Sequence, residues 1–322
     1  MQDSKTNRDG PEGVNPTEPD YVPYDKRQLS YANTFTNPYK SAVIRTLEWC
    51  TGKIPILRRI RQFENEGVEH GQGFWSHSLR LLGIEITTPL EQIARIPKTG
   101  PVVVVANHPH GLVDGIVLAE LIGRVRTDYK ILTRSLLTNV DEVRDFMIPV
   151  PFPHEEDALA QSIKMRKEAM AQLEAGGVIV LFPSGVVASA ETFFGDAIEA
   201  EWNPFTSKMV KRSGATVVPI FFPGQNSRLY QMANLVSPML RQGLLLHEVA
   251  HSLNKPQNPV IGHSMSPTDV ANWEGNASEF VAYLRARTLA LGIDGTDGGR
   301  KLPASVLNPL LKDSNRSKVG FY

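Results

Sequence analysis

A chain of 322 residues with 41% hydrophobic and 21% charged side chains, 25 glycines and 23 prolines has the composition of a folded globular protein, not of a collagen, a coiled coil or a disordered polymer. Its 34 Lys and Arg balance its 34 Asp and Glu, so no basic field draws it onto nucleic acid, which is not expected as a partner. The single cysteine, Cys50, excludes an internal disulfide framework and a Cys-rich zinc module and suits a reducing compartment, the cytoplasm.

The first ten residues lack the apolar core of a secretion signal, and no stretch approaches the ~18 consecutive apolar residues of a spanning helix. Residues 1–38 carry five prolines among polar residues with no apolar period, so burial cannot offset their ordering entropy and a disordered arm is expected. Residues 39–80 differ. Val43, Ile44, Leu47, Ile54, Ile56, Leu57 and Ile60 recur near helical spacing among Lys40, Arg45, Lys53, Arg58, Arg59 and Arg61, with Glu48 the one opposing charge between Tyr39 and Gln62. Gly52 and Pro55 predict two short helices there, and Trp49 and the basic residues suit either an anionic membrane surface or a solvated face packed on the body. Cys50, inside this segment, reads as a buried, inert thiol.

From residue 81 to 292 the pattern predicts one α/β domain, a central, mostly parallel sheet flanked by helices. The strands are Val102–Ala106, Lys130–Thr133, Val178–Phe182 and Thr216–Phe222, short apolar runs of the kind buried on both faces. Helical patterns fall between them at Gly115–Ile122, Asp157–Ala175 and Pro204–Ser213. Pro219, inside the last strand, marks an edge or an opening near a site. Residues 293–322 read as a flexible tail.

Strand ends are where α/β proteins place their chemistry. The first strand runs straight into Asn107-His108-Pro109-His110-Gly111, with Asp114 three residues on, a turn in which a carboxylate can orient an imidazole and leave its other nitrogen as a base. The same residues can simply cap the following helix, so the turn alone leaves both readings open. Phe182-Pro183-Ser184-Gly185 ends the third strand in a turn whose backbone N–H groups can face an oxyanion.

Two metal readings compete. His247-Glu248-Val249-Ala250-His251 places two imidazoles one helical turn apart with a Glu beside them, as zinc peptidases do, and Glu274 or Glu279 lies downstream as a third ligand. An amphipathic helix with half-exposed His and Glu gives the same string. His108-Pro109-His110 resembles the opening of a binuclear hydrolase loop, but Gly111 and Leu112 follow where that loop supplies its next ligands. A non-catalytic, membrane-peripheral scaffold is a third alternative.

Taken in order, Asn-His-Pro-X-Gly-X-X-Asp-Gly, then Phe-Pro-X-Gly about seventy-five residues later, then Val217-Val218-Pro219-Ile220 resembles the glycerolipid acyltransferase family that makes phosphatidic acid. Glu201-Trp202-Asn203-Pro204 through Pro223-Gly224-Gln225-Asn226-Ser227-Arg228 is similar to its hemolysin-like branch, which includes lyso-ornithine-lipid O-acyltransferases. The resemblance covers roughly residues 80–265 and implies acyl transfer from acyl-carrier protein or acyl-CoA to a hydroxyl of a lyso-lipid at a membrane surface. On this resemblance His108 is the base and Asp114 its partner, with no acyl-enzyme and no metal or organic cofactor. Asn107, Gly111 and Gly185 would support the turn or the oxyanion. Phe182, Pro183, Ser184, Arg134, Arg144 and Arg228 are the acceptor-binding candidates.

The sequence departs from the family pattern in three places. Five residues instead of four separate His108 from Asp114, with Gly111 expected to absorb the extra one. Ser184 and Val187 stand where the family has Glu and Arg, and Phe146–Val150 lacks the family's phosphate-binding Arg.

Overall fold

The computed structural model describes residues 25, 27, 29–35, 37–134, 140–151 and 157–293. The helices are α1 (Pro38–Thr51), α2 (Lys53–Glu66), α3 (Gly73–Leu82), α4 (Leu90–Ile93), α5 (Leu112–Gly123), α6 (Ala158–Glu174), α7 (Phe205–Ser213), α8 (Arg228–Val236), α9 (Pro238–Gly243), α10 (Leu245–His251), α11 (Pro267–Ala271) and α12 (Ala277–Ala290). The strands are β1 (Val102–Ala106), β2 (Tyr129–Thr133), β3 (Met147–Pro149), β4 (Val178–Leu181), β5 (Ser189–Ala190), β6 (Ala197–Ile198), β7 (Thr216–Phe221) and β8 (Val260–Ile261).

Six strands form one sheet in the order β3-β2-β4-β1-β7-β8, parallel except for the antiparallel β7–β8 pair at one edge. The protein is α/β. Strand β1 lies at its centre, with Val104 opposite Val180 of β4 and Val218 of β7. Alternate side chains explain the continuous valine run. Val102, Val104 and Ala106 pack into a core with α3, α5 and α10, while Val103 and Val105 pack into a second with α6, α7 and α12. Each fully buried valine contributes roughly 1.5–3 kcal/mol over an exposed one, so a polar residue on either face of β1 is not tolerated.

Pro219 does not sit on an edge strand, because β7 pairs with both β1 and β8. Along β7 the backbone groups alternate: the Thr216 N–H donates to the Pro101 carbonyl on the β1 side, whereas the Val217 N–H donates to the Met265 carbonyl and the Pro219 carbonyl accepts from Gly262 on the other. The missing N–H therefore faces the two-residue strand β8, where little ladder is lost. Strands β3 and β8, of three and two residues, escape the sequence reading because runs that short carry no period.

The segment from 39 to 80 holds the two predicted helices, α1 and α2, and then α3. Gly52 breaks the first pair for a packing reason: a Cβ there would lie 2.6 Å from the backbone of His247 in α10. Pro55 sits in the first turn of α2, where its missing N–H costs no helical bond. Two expectations are corrected. Cys50 is exposed, because α1 turns only Ile44 and Glu48 fully inward. Residues 29–35, assigned to a disordered arm, are folded: Leu29, Ser30 and Ala32 are buried, and Ser30 Oγ and Tyr31 N–H donate to the buried Glu48. Burial raises the Glu48 pKa, against the hydrogen bonds from Ser30 and Tyr31 and the charge of the buried Lys53. Residues 1–24 and the tail from 294 to 322 lie outside the described residues.

Candidate active site

The site lies at the carboxyl end of the central strand. β1 ends at Ala106, and Asn107 extends its pairing by side chain: its amide donates to the Phe222 carbonyl at 2.9 Å and accepts from the Phe222 N–H at 2.7 Å. Asn107 therefore clamps the ends of β1 and β7 together, the turn support expected of it. Gly111 follows at φ 72, a conformation that L side chains rarely adopt, and turns the chain into α5.

Asp114, in the first turn of α5, is fully buried and accepts four hydrogen bonds. His108 Nδ1 lies 3.0 Å from Oδ2 and His110 Nδ1 lies 3.0 Å from Oδ1. The backbone N–H groups of His110 and Gly111 donate to Oδ2 at 2.8 and 3.1 Å. Burial works to raise the Asp114 pKa, but the His110 imidazole and the hydrogen bonds from both rings outweigh it and hold the group below its usual range. The helix N-terminus favours the same charge. An ionised carboxylate only accepts, so both imidazoles donate from Nδ1 and turn Nε2 away from Asp114.

His108 is fixed from every side. Its ring stacks on Phe182 at 3.9 Å between centroids, its carbonyl accepts from Ala188 N–H at 2.8 Å, and its N–H donates to Glu199 Oε2 at 3.0 Å. Its side chain keeps 17% of its surface open, the access a base needs. Glu199 was not singled out from sequence. It is buried, accepts from Trp202 Nε1 at 3.0 Å, and offers its backbone carbonyl to Arg285. Burial raises its pKa, against the hydrogen bonds from His108 N–H, Ser184 and Trp202. The signal was slight: one acid three residues before a tryptophan, in a region whose strands, β5 and β6, are too short to read.

The remaining candidates separate. Phe182 is the platform under the His108 ring. The Pro183 carbonyl accepts from Asn203 N–H, Ser184 Oγ donates to the Val186 carbonyl, and Gly185 N–H closes the turn on the Phe182 carbonyl. Gly185 at φ 66 is thus a turn residue whose N–H is spent, correcting its oxyanion assignment. Arg144 is exposed and pairs with Asp141; Arg228 donates to the Gly195 carbonyl; Arg134 is exposed at the end of β2. None of these contacts joins the three arginines to one another.

The zinc-peptidase reading does not fit α10. Glu248 is buried and both its oxygens are taken, by Ser227 N–H at 2.8 Å and Ser227 Oγ at 2.6 Å, so it holds the start of α8 and is not available to a water. His247 Nδ1 faces the Thr51 carbonyl at 3.3 Å, and Glu279 bonds back to the Asn276 N–H at the start of α12. Among the described residues no three His, Cys, Asp or Glu side chains are grouped to hold a metal ion.

The chain is similar to known acyltransferases. A lyso-glycine lipid O-acyltransferase of Phocaeicola vulgatus is 26% identical over 155 residues, covering 47% of this chain and 53% of the relative. A protein of the same description from Bacteroides thetaiotaomicron is 27% identical over 191 residues, covering 57% of this chain and 65% of the relative. The chain thus matches between about half and two thirds of the length of these curated relatives. Among solved structures, the 1-acyl-sn-glycerophosphate acyltransferase PlsC of Thermotoga maritima has a TM-score of 0.45 and 12% identity, over 81% of this chain and 84% of that one. A family model described as acyltransferase matches residues 69–245, more than half of the sequence and the whole His108–Asp114 turn. The chain belongs to the acyltransferase family.

Proposed function

We propose that the protein is an O-acyltransferase that moves a fatty acyl group from an acyl thioester, carried on acyl-carrier protein or on CoA, to a hydroxyl of a lyso-lipid. The observation that carries this reading is the His108–Asp114 pair: an imidazole held through Nδ1 by a buried carboxylate, with a lone pair left on Nε2.

His108 Nε2 takes the proton of the acceptor hydroxyl as that oxygen attacks the thioester carbonyl carbon. Asp114 stabilises the imidazolium so formed. The tetrahedral intermediate collapses with cleavage of the C–S bond, and the thiolate leaves with the proton returned by His108. The ester forms without an acyl-enzyme. With Gly185 N–H spent, the oxyanion falls to the next N–H groups of the same loop, Val186 and Val187, which donate to no group among the described residues. The acceptor is a lyso-lipid with an amino-acid head group, a reading supported by the two lyso-glycine lipid relatives and by Ser184 and Val187 in place of charged residues.

The long acyl chain and the lyso-lipid both partition into bilayers, and the protein works at that surface. No described helix is long and apolar enough to cross a membrane. Helices α1 and α2 expose Tyr39, Val43, Trp49 and Ile54 beside Lys40, Arg45 and Arg58, an amphipathic, basic surface suited to the inner face of an anionic membrane. Neutralising these three cations is expected to weaken flotation with anionic liposomes, and equal flotation would remove the contact from this segment.

The test of the activity is transfer of labelled acyl groups from acyl-carrier protein and from acyl-CoA to a panel containing lyso-glycine lipid, lyso-ornithine lipid and lysophosphatidic acid. Transfer to an amino-acid lyso-lipid is expected. Transfer to lysophosphatidic acid alone would overturn the acceptor class, and transfer to none would overturn the function and favour a non-catalytic scaffold.

A further inference from the structure

Asp114 is shared by two imidazoles, and the base described above uses only one. The second, His110, is the one donor to Oδ1 among the described residues, while Oδ2 receives His108 and two backbone N–H groups. Its side chain is 12% exposed, and its Nε2 points into the loop between β7 and α8, where a Cβ on Gly224 would stand 3.0 Å away. Gly224 has φ 92, so a side chain is disfavoured there on conformational grounds as well.

We propose that His110 is a positioning residue for acyl transfer: it occupies Oδ1 so that Oδ2 stays on His108 Nδ1. This inference rests on His108 being the base. A buried carboxylate oxygen with no donor is costly, so without the His110 ring the carboxylate rotates or admits water, and the Oδ2–Nδ1 bond loses its alignment.

The surroundings of His110 keep this effect local. Its ring bonds to Asp114, through which it reaches His108; the β7–α8 loop offers Gly224, and the neighbouring turn at Gly111 is covered by Val187 and by Leu245 of α10. Glu199 lies at the His108 backbone N–H.

Two variants of the full-length protein test the proposal. His110→Phe keeps an aromatic ring but no donor, and His110→Asn keeps a donor near the Nδ1 position but does not titrate. His110→Phe is expected to lower kcat about ten- to hundredfold with KM nearly unchanged, the loss of one hydrogen bond to a charged group. His110→Asn is expected to restore kcat to within about threefold, because its amide stands near the Nδ1 position. A wild-type rate in His110→Phe, or a His110→Asn variant as slow as His110→Phe, overturns the proposal. Should the Phe variant fail to fold, His110→Gln, whose amide stands near the Nε2 position, takes its place: a loss of kcat like that expected of the Phe variant supports the proposal, and a wild-type kcat overturns it. His108→Asn, run alongside, separates the two readings. If it abolishes transfer while both His110 variants match wild type, the base stands and the positioning role falls. If it stays active while His110→Asn is dead, the roles are exchanged and the proposal is overturned.

Discussion

Two segments of this protein carry a pair of histidines and a carboxylate at short spacing, and they have opposite fates. In the turn after β1, the carboxylate of Asp114 faces both rings, each held through Nδ1. In α10, the carboxylate of Glu248 spends both oxygens on Ser227 at the start of α8, with His247 Nε2 no nearer than 4.0 Å to Oε1. The strings are equally suggestive as sequence. What separates them is which group owns the carboxylate: one that orients imidazoles can serve a reaction, and one that satisfies a helix end serves the fold.

That contrast can be broken experimentally. The largest effect after loss of the base itself is expected from Asp114→Asn, which replaces an acceptor of four hydrogen bonds by an amide with one acceptor oxygen; kcat should fall on the order of a hundredfold or more. The same substitution has a pH signature. The folded-state pKa of Asp114 is held below the usual carboxylate range, so its contribution to stability is complete above the unfolded value and is lost as pH falls through the folded one. Denaturant unfolding of wild type and Asp114→Asn should therefore differ most near neutrality and converge in acid. A constant difference down to the lowest pH would contradict the ionised, doubly bonded carboxylate.

A smaller effect is expected at Glu199. Its two oxygens accept from the His108 N–H and from Trp202, and in Glu199→Gln one of those donors meets an NH2 group. Steady-state assays should show about a tenfold loss of kcat through a displaced His108 turn; an unchanged kcat would reduce Glu199 to a packing residue. Glu248→Gln sharpens the other side of the comparison. It should cost about 1–3 kcal/mol of stability, read by thermal or denaturant unfolding, through the weakened Ser227 bonds. Its kcat per folded molecule should match wild type, and a catalytic loss with unchanged stability would return α10 to the chemistry.

The sequence made the framework legible where physics leaves a long, periodic trace. The valine run of β1 and the alternation of strands with helices define the sheet, and Gly52 between two amphipathic runs marks the break between α1 and α2. The turn at His108 was legible because it joins a buried strand to a helix. What stayed hidden depends on contacts distant in the chain. Glu199 reaches His108 across 91 positions, and Glu48 orders residues 29–35 through Ser30 and Tyr31, reached across a helix. The roles of Gly185 and Phe182 could not be read either, since one is decided by a single turn hydrogen bond and the other by a stacking partner.

The central claim is that chemistry belongs to the turn after β1 and not to α10, and one side-by-side assay tests it most directly. Acyl transfer to a lyso-lipid is measured with chelator present for wild type, His108→Ala and His247→Ala. The account predicts a drop of about 10² to 10⁴-fold in His108→Ala, with His247→Ala and chelated wild type retaining full rates. Transfer that survives in His108→Ala, or that is lost on chelation and in His247→Ala, would contradict it.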